Sequence, residues 1–141
     1  MAFRPINYEK GKTVEMPCAT TQTIIAGDAL VDNGSGYLAL ATSSTAVDIH
    51  YVALQTVTTT ADGQLVLCLE TENILFEADT DGTAWLTAEQ GTYCDIGASA
   101  VTTDLDTSAS TNDLFYILKG VGTSGTDKKV LGFFTRGILN T

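Results

Sequence analysis

The chain has 141 residues, which is enough for one domain whose hydrophobic core needs no disulfide or metal. It is 44% hydrophobic, with 13 glycines, 2 prolines and many threonines, a composition that excludes a disordered protein and favours β-structure. The 17 acidic and 7 basic residues give a net charge of −10, which excludes a typical nucleic-acid-binding protein.

Residues 1–12 show neither the alternation of a strand nor the period of a helix. They carry apolar side chains among their charges, and Pro5 fixes an extended bend. Ordering such a segment costs more free energy than burying its few apolar side chains returns, so it needs main-chain hydrogen bonds or a neighbouring strand. We expect an extended N-terminal arm over residues 1–12 and a single β domain over residues 13–141. The segment lacks the apolar centre of a signal peptide, which predicts a soluble protein that is not exported.

From residue 13 onward, short apolar runs alternate with turn signals such as the loop Asp32–Gly36. About nine to eleven short strands at this spacing predict an all-β fold, either a small β-barrel or a β-sandwich of short antiparallel strands. The apolar or alternating segments from which these strands would form are residues 14–18, 23–26, 29–31, 37–41, 48–55, 65–69, 74–78, 84–86, 92–96, 100–103, 114–121 and 130–135.

The densest apolar run of the chain stands beside its densest acidic cluster. Residues 65–69 are apolar without interruption, which predicts a central strand covered on both faces. Five carboxylates follow with no cation near them in the sequence: Glu70, Glu72, Glu77, Asp79 and Asp81. They predict an anionic surface, and their oxygens could bind a divalent ion, although the spacing does not match a calcium-binding loop.

The basic residues lie only at the two ends of the chain. No lysine or arginine occurs between Thr13 and Leu118, a segment that holds most of the acids. One interpretation is simply a soluble acidic protein. The other is that the cationic ends bind an acidic neighbour while the anionic body faces solvent.

The sequence offers little catalytic chemistry. His50 is the one histidine, so a histidine-rich metal site is impossible, and its place in an alternating segment favours a structural role. Phosphate-binding glycine motifs and a nucleophile elbow do not occur. We therefore expect no enzymatic activity, no cofactor and no metal site. Cys18, Cys68 and Cys94 are expected to be buried and reduced, with a disulfide between two of them left open.

The run from Thr20 to Ala78 contains TIIAGDALV, a glycine-rich turn, YLALA, a polar gap, YVALQ, GQLVLCLE and ILFEAD. This outline resembles the small capsid decoration proteins of tailed phages, also called cement or head-stabilising proteins, over about half of the chain. The resemblance implies a β-rich structural protein that is made in the host cytoplasm and sits on the outer surface of the virion capsid. It further implies a homotrimer whose terminal arms reach over neighbouring major capsid protein subunits, with no nucleic-acid or membrane partner.

Carried over by position, the resemblance assigns capsid docking to the arm residues Phe3, Arg4, Ile6, Tyr8, Lys10 and Lys12. The expected contacts between subunits are made by Trp85, Phe133, Phe134 and Arg136. Trp85 could equally be an ordinary core residue, since tryptophan is enriched both in cores and at the centres of interfaces.

Two other functions remain open at this stage. A tail or baseplate structural protein would have the same composition. A soluble ligand-binding β-barrel or a hydrolase would be favoured by an enclosed polar pocket around His50.

Overall fold

The computed structural model describes residues 2–7, 11–97 and 103–135, and regular structure in these ranges is almost entirely β. The predicted all-β class is confirmed, with a closed barrel joined to a curled sheet. The strands are β1 Phe3–Pro5, β2 Thr13–Cys18, β3 Thr23–Ile24, β4 Ala29–Asp32, β5 Leu38–Leu40, β6 Tyr51–Ala53, β7 Val57–Thr58, β8 Gln64–Glu70, β9 Phe76–Asp79, β10 Tyr93–Ile96, β11 Leu105–Asp106, β12 Phe115–Val121 and β13 Lys129–Phe134.

The barrel closes in the order β2-β5-β4-β6-β8. Its neighbouring strands are antiparallel, except for a parallel contact between β2 and β5. Alternation along each strand turns every second side chain inward. The interior is filled by buried side chains that include Cys18, Leu30, Leu38, Val66 and Cys68. Because the barrel is closed, its five strands leave no free sheet edge.

The second half is a six-stranded antiparallel sheet in the order β1-β9-β13-β12-β10-β11. The chain just after β9 returns to β11 through a bridge between Thr80 and Leu105. The backbone N–H of Asp81 donates to the Leu105 carbonyl at 2.8 Å. This contact joins opposite ends of the strand order, so the sheet curls around its own core.

Four phenylalanines form the centre of the curled sheet, and all are fully buried. The ring centroid of Phe3 lies 4.7 Å from that of Phe134, 5.7 Å from that of Phe115 and 6.2 Å from that of Phe76. Phe134 also contacts Phe76 and Phe115 edge-on, at 5.2 Å in each case. These tilted and edge-on geometries are the favourable ones for aromatic pairs.

The N-terminal strand therefore belongs to the domain. Strand β1 pairs with β9 in the register Phe3 with Ala78, and the Phe3 N–H also donates to the Gly27 carbonyl at 3.0 Å. The predicted separate arm is wrong for residues 2–7, because Phe3 fills the core and its backbone is hydrogen-bonded on both sides. Residues 8–10 of the expected arm lie outside the described residues.

The curled sheet and the outer face of the barrel share one apolar cluster, which is distinct from the core inside the barrel. Ala29, Val52 and Leu69 come from barrel strands but belong to the same cluster as the four phenylalanines. They lie on the outer face of the barrel, where the register pairs Val52 with both Ala29 and Leu69. The curled sheet thus covers part of the outer face of the barrel.

Strand β8 is covered on both faces only near its end. Val66 and Cys68 point into the barrel and are fully buried, and Leu69 is buried beneath the curled sheet. Leu65 and Leu67 face outward and are 54% and 37% exposed. The prediction of a fully covered strand is wrong for these two leucines, since the sheet does not reach that part of the barrel.

Candidate functional site

Two of the described cations, Arg4 and Lys129, meet the acidic cluster on the curled sheet. Pairing of β1 and β13 with β9 sets Arg4 beside Glu77 and Lys129 beside Asp79. Arg4 Nε donates to Glu77 Oε1 at 3.0 Å, and Arg4 Nη2 donates to Asp79 Oδ1 at 2.9 Å. Lys129 Nζ donates to the same Asp79 oxygen at 2.7 Å. The sequence around these acids contains no cation, because their partners Arg4 and Lys129 come from the two ends of the chain.

Electrostatics at this site follow from those hydrogen bonds. Partial burial alone would raise the pKa of Asp79, but the hydrogen bonds from Arg4 and Lys129 outweigh it and lower that pKa below its ordinary value. All four side chains remain partly in contact with water. The cluster is therefore a partly exposed ion-pair network that joins three strands, and each pair stabilises the fold by at most about 1 kcal/mol.

The five carboxylates of the acidic cluster do not converge. Glu77 and Asp79 are engaged with cations, whereas Glu70 and Glu72 lie beside His50 in a different groove. Within residues 2–7, 11–97 and 103–135, no three His, Cys, Asp or Glu side chains are arranged to hold a metal ion. The fold therefore does not form the oxygen-ligand site that the sequence left open.

His50 lines a polar groove of about 170 Å³ together with Tyr51, Glu70, Thr71 and Glu72. Thr71 and Tyr51 bring hydroxyl groups to this groove; the Thr71 hydroxyl is buried and donates to the carbonyl of residue 49 at 2.8 Å. No serine or cysteine lines the groove. Among the described residues of this groove, His50 therefore has no serine or cysteine nucleophile beside it.

The expected docking residues Phe3 and Arg4 are used inside the fold. Phe3 is in the aromatic core, and Arg4 is bound to carboxylates of β9. The assignment of Phe3 as a contact to a partner is therefore wrong, because Phe3 could reach a partner only if β1 left the sheet. Arg4 is already engaged by Glu77 and Asp79, although part of its side chain is exposed.

The rest of the expected docking set has a different environment. Ile6 is 52% exposed, and Lys12 is exposed at the start of the barrel. Tyr8 and Lys10 lie outside the described residues.

Trp85 lies in the core of its own chain. It is 5% exposed, and its indole Nε1–H donates to the Val121 carbonyl at 3.1 Å. The ring covers Gly120, where any Cβ would overlap the indole. Trp85 is thus the core residue that the sequence allowed as an alternative to a subunit contact.

The other expected interface residues divide between core and surface. Phe134 is fully buried among the phenylalanines, so it is also wrong as a subunit contact. Phe133 is half-buried opposite Tyr116 on β12. Arg136 lies outside the described residues.

Sequence reasoning missed a buried carboxylate. Asp28 is 1% exposed, and its Oδ2 accepts a hydrogen bond from the Ile25 N–H at 2.9 Å. Its Oδ1 has no hydrogen-bond partner among the described residues. Burial raises the pKa of Asp28, and the negative charge of Asp104 raises it further. In the sequence, Gly27-Asp28 indicated only a turn.

The three cysteines are buried, as predicted, and are free thiols. Burial raises the pKa of Cys68 to about 12, with a further contribution from the nearby Cys18. Burial also raises the pKa of Cys18 and that of Cys94. These thiols therefore remain protonated and act as small apolar side chains.

The described residues include no helix of the length and apolarity needed to span a bilayer. The chain matches no protein-family model, no curated protein and no solved structure. Its function must be inferred from its own geometry.

Proposed function

We propose that the protein is a structural virion protein that binds the outer surface of a phage capsid and stabilises it as a decoration protein. The observation that carries the proposal is a set of lysines that the fold does not use. Lys12, Lys119 and Lys128 are exposed, and none forms a side-chain hydrogen bond or ion pair within the described part of the chain. The net charge of the protein is −10, yet these unpaired lysines lie toward both ends of the chain. They are complementary in charge to an acidic surface on a partner protein.

The rest of the body supports a binding role rather than a chemical one. The segment that resembles decoration proteins forms most of the barrel and leads into β9. A closed barrel fused to a curled sheet supplies a platform, and no serine or cysteine lines the groove beside His50.

The structure changes which N-terminal residues would dock. Phe3 and Arg4 anchor the N-terminal segment to the body, while Ile6 and Lys12 remain available at the surface. In this proposal Ile6, Tyr8, Lys10 and Lys12 contact the major capsid protein from a fixed attachment point. The anionic body then faces solvent.

Contacts between copies in the proposed homotrimer need apolar surface that the isolated chain leaves uncovered. Leu65 and Leu67 provide such surface on β8, opposite Pro17 and Glu15 of β2. They replace Trp85 and Phe134 in this role, because those two side chains are internal.

Co-sedimentation tests the proposal. Purified protein is mixed with undecorated shells assembled from the major capsid protein that is encoded with this chain. We expect binding at about 50 mM NaCl that weakens strongly by about 500 mM, because exposed ion pairs are screened over this range. Failure to sediment with the shells at low salt would refute the decoration role, whereas binding that ignores salt would refute only the docking by lysines.

Variants locate the contact. The triple variant Lys12→Gln, Lys119→Gln and Lys128→Gln removes the unpaired cations and is expected to weaken shell binding at least tenfold. The matched triple arginine variant keeps the charges and is expected to bind like the wild type. Circular dichroism confirms that both variants are folded.

A further inference from the structure

A second and larger groove lies at one end of the five-stranded barrel. Its volume is about 600 Å³, a size typical of small-molecule sites, which often occupy the mouths of β-barrels. Eleven residues line it: Met16, Leu30, Val31, Asp32, Gly34, Gly36, Leu38, Val47, Asp48, His50 and Tyr51.

The floor of the groove is the core of the barrel. Leu30 and Leu38 belong to the buried cluster inside the barrel, and Met16 and Tyr51 pack against that cluster. Leu30 and Leu38 are themselves closed to solvent, so the apolar surface that the groove offers at its floor comes from the half-buried Met16 and Tyr51. An alkyl chain entering here would gain about 0.8 kcal/mol for each buried methylene.

The hairpin between β4 and β5 keeps the groove open. Gly34 and Gly36 both have positive φ, +86° and +89°, and a Cβ at either position would meet no atom within 4 Å. Larger side chains at these glycines would be strained, so the loop retains positions without side chains beside the groove. Val47, on the opposite rim, is 56% exposed.

The rim carries negative charge without compensation. Asp32 and Asp48 are exposed there; one oxygen of Asp32 accepts a hydrogen bond from the Gly34 N–H at 2.7 Å. Within the described ranges, the carboxylate of Asp48 forms no hydrogen bond or ion pair. No lysine or arginine lines the groove. An apolar floor beneath two carboxylates is complementary to a molecule with an alkyl body and a positive end.

We propose that this groove at the barrel end binds a small aliphatic amine, with the alkyl chain against Met16 and Tyr51 and the ammonium group between Asp32 and Asp48. The binding does not depend on the proposed role on a capsid. Charge selects the ligand, since an alkyl carboxylate of the same length would meet two like charges. The apolar floor selects against small hydrophilic cations, which gain nothing from it.

Three probes of equal chain length test the proposal by titration of ¹⁵N-labelled full-length protein. Hexylammonium is expected to bind with a Kd of about 1 mM, because the burial of its methylenes is largely offset by the cost of association. Hexanol is expected to bind more weakly, and hexanoate not at all. The shifted amide signals are expected to include Leu30, Leu38 and Tyr51. Equal binding of all three probes, or shifts elsewhere on the molecule, would overturn the proposal.

Matched variants separate this site from general attraction to an acidic protein. Asp48→Asn is expected to weaken hexylammonium binding about fivefold, which corresponds to one partly exposed ion pair. Glu15→Gln makes the same change of charge on an exposed residue that does not line the groove, and is expected to have no effect. Equal weakening by both variants would refute the site.

Val47→Lys places an amine of the chain itself beside the rim and is expected to abolish hexylammonium binding. Because Val47 is exposed, the fold should tolerate the change. A short lysine-containing peptide is titrated in parallel. If it bound more than tenfold tighter than hexylammonium, the occupant would be a lysine of a protein partner, and the proposal of a free amine would fall.

Discussion

At the scale of single residues, stability depends on side chains whose importance the local sequence does not show. Phe3 stands in a segment without alternation, yet it contacts three other phenylalanines in the core. Asp28 stands in a turn, yet it is buried with one oxygen that lacks a partner among the described residues. Both environments are created by parts of the chain far away in sequence.

Phe3→Ala is expected to lower the free energy of unfolding by about 3–5 kcal/mol, the usual cost of removing a buried phenylalanine. Urea denaturation followed by tryptophan fluorescence measures it. Ile6→Ala is the matched control, and its effect should stay below about 0.5 kcal/mol because Ile6 is 52% exposed. Equal effects of the two changes would contradict the internal position of β1. Deletion of residues 1–12 is expected to unfold the domain rather than to remove only an arm.

Asp28→Asn is expected to stabilise the protein by about 1 kcal/mol at pH 7, because it removes a buried charge that is incompletely hydrogen-bonded. The pKa of Asp28 is raised in the folded state, so the fold favours the protonated form. Its unfavourable contribution is therefore absent below the unfolded pKa, grows as pH rises from the unfolded to the folded pKa, and is complete above the folded pKa. Denaturation between pH 4 and pH 8 should show the advantage of Asp28→Asn shrinking toward acid pH. Asp48→Asn, at an exposed site, should show no such advantage.

At the scale of elements, three strands are joined by side chains as well as by their hydrogen-bond ladders. Strand β1 has only three residues, and so short an edge strand gains little from its ladder alone. Arg4 fixes it to β9 through Glu77 and Asp79, while Lys129 joins β13 to the same carboxylate. The network lies over the aromatic core and holds the first strand against it.

Arg4→Gln is expected to lower the free energy of unfolding by about 1 kcal/mol, and the loss should shrink in about 1 M salt. The pKa of Asp79 is lowered in the fold. Its stabilising contribution is present above the unfolded pKa and is lost as pH falls through the folded pKa, so Arg4→Gln should reduce this acid-dependent loss. Thermal unfolding at several pH values measures both effects. Lys12→Gln is the control, and an equal loss there would indicate a general charge effect.

The alternation of apolar residues predicted much of the β-structure. The closing hairpin expected over 114–121 and 130–135 is present as β12 and β13, and the expected strand over 65–69 is the centre of β8. The expected strand over 84–86 does not form, because Trp85 packs over Gly120 from a stretch outside any ladder. Apolar runs reveal burial, but they do not show which of two buried conformations the backbone adopts.

At the scale of the whole molecule, two hydrophobic cores differ in how completely they are enclosed. The curled sheet covers the outer face of the barrel at Leu69 and leaves Leu65 and Leu67 at the surface. The sequence predicted a barrel or a sandwich but not that the outer face of β8 is only partly covered. The apolar run at residues 65–69 would be the same whether the outer face of this strand is buried or exposed to solvent. The candidate sites were less predictable still, because the groove at the barrel end is formed by β2, β4–β6 and the loops between them.

The double variant Leu65→Ser and Leu67→Ser is expected to reduce self-association while leaving the barrel folded, since both side chains point outward. Light scattering after size exclusion, over a range of concentrations, measures the mass of the assembly. Val66→Ser is not a suitable control because it would damage the interior, so Thr13→Ser on the neighbouring strand serves instead. If the mass of the assembly were unchanged in the double variant, Leu65 and Leu67 would be excluded from the contact between copies.

The position of Phe3 also has a consequence for how the chain acquires its fold. Strand β1 packs through Phe3 against Phe115 and Phe134, which lie far downstream in the sequence and are synthesised much later than Phe3. The ring of Phe3 therefore stays without these two native partners until β12 and β13 have been synthesised, and the search for such distant partners slows folding. Chains interrupted before β13 would leave both Phe3 and Phe76 uncovered, so premature termination should yield aggregates rather than a smaller stable domain.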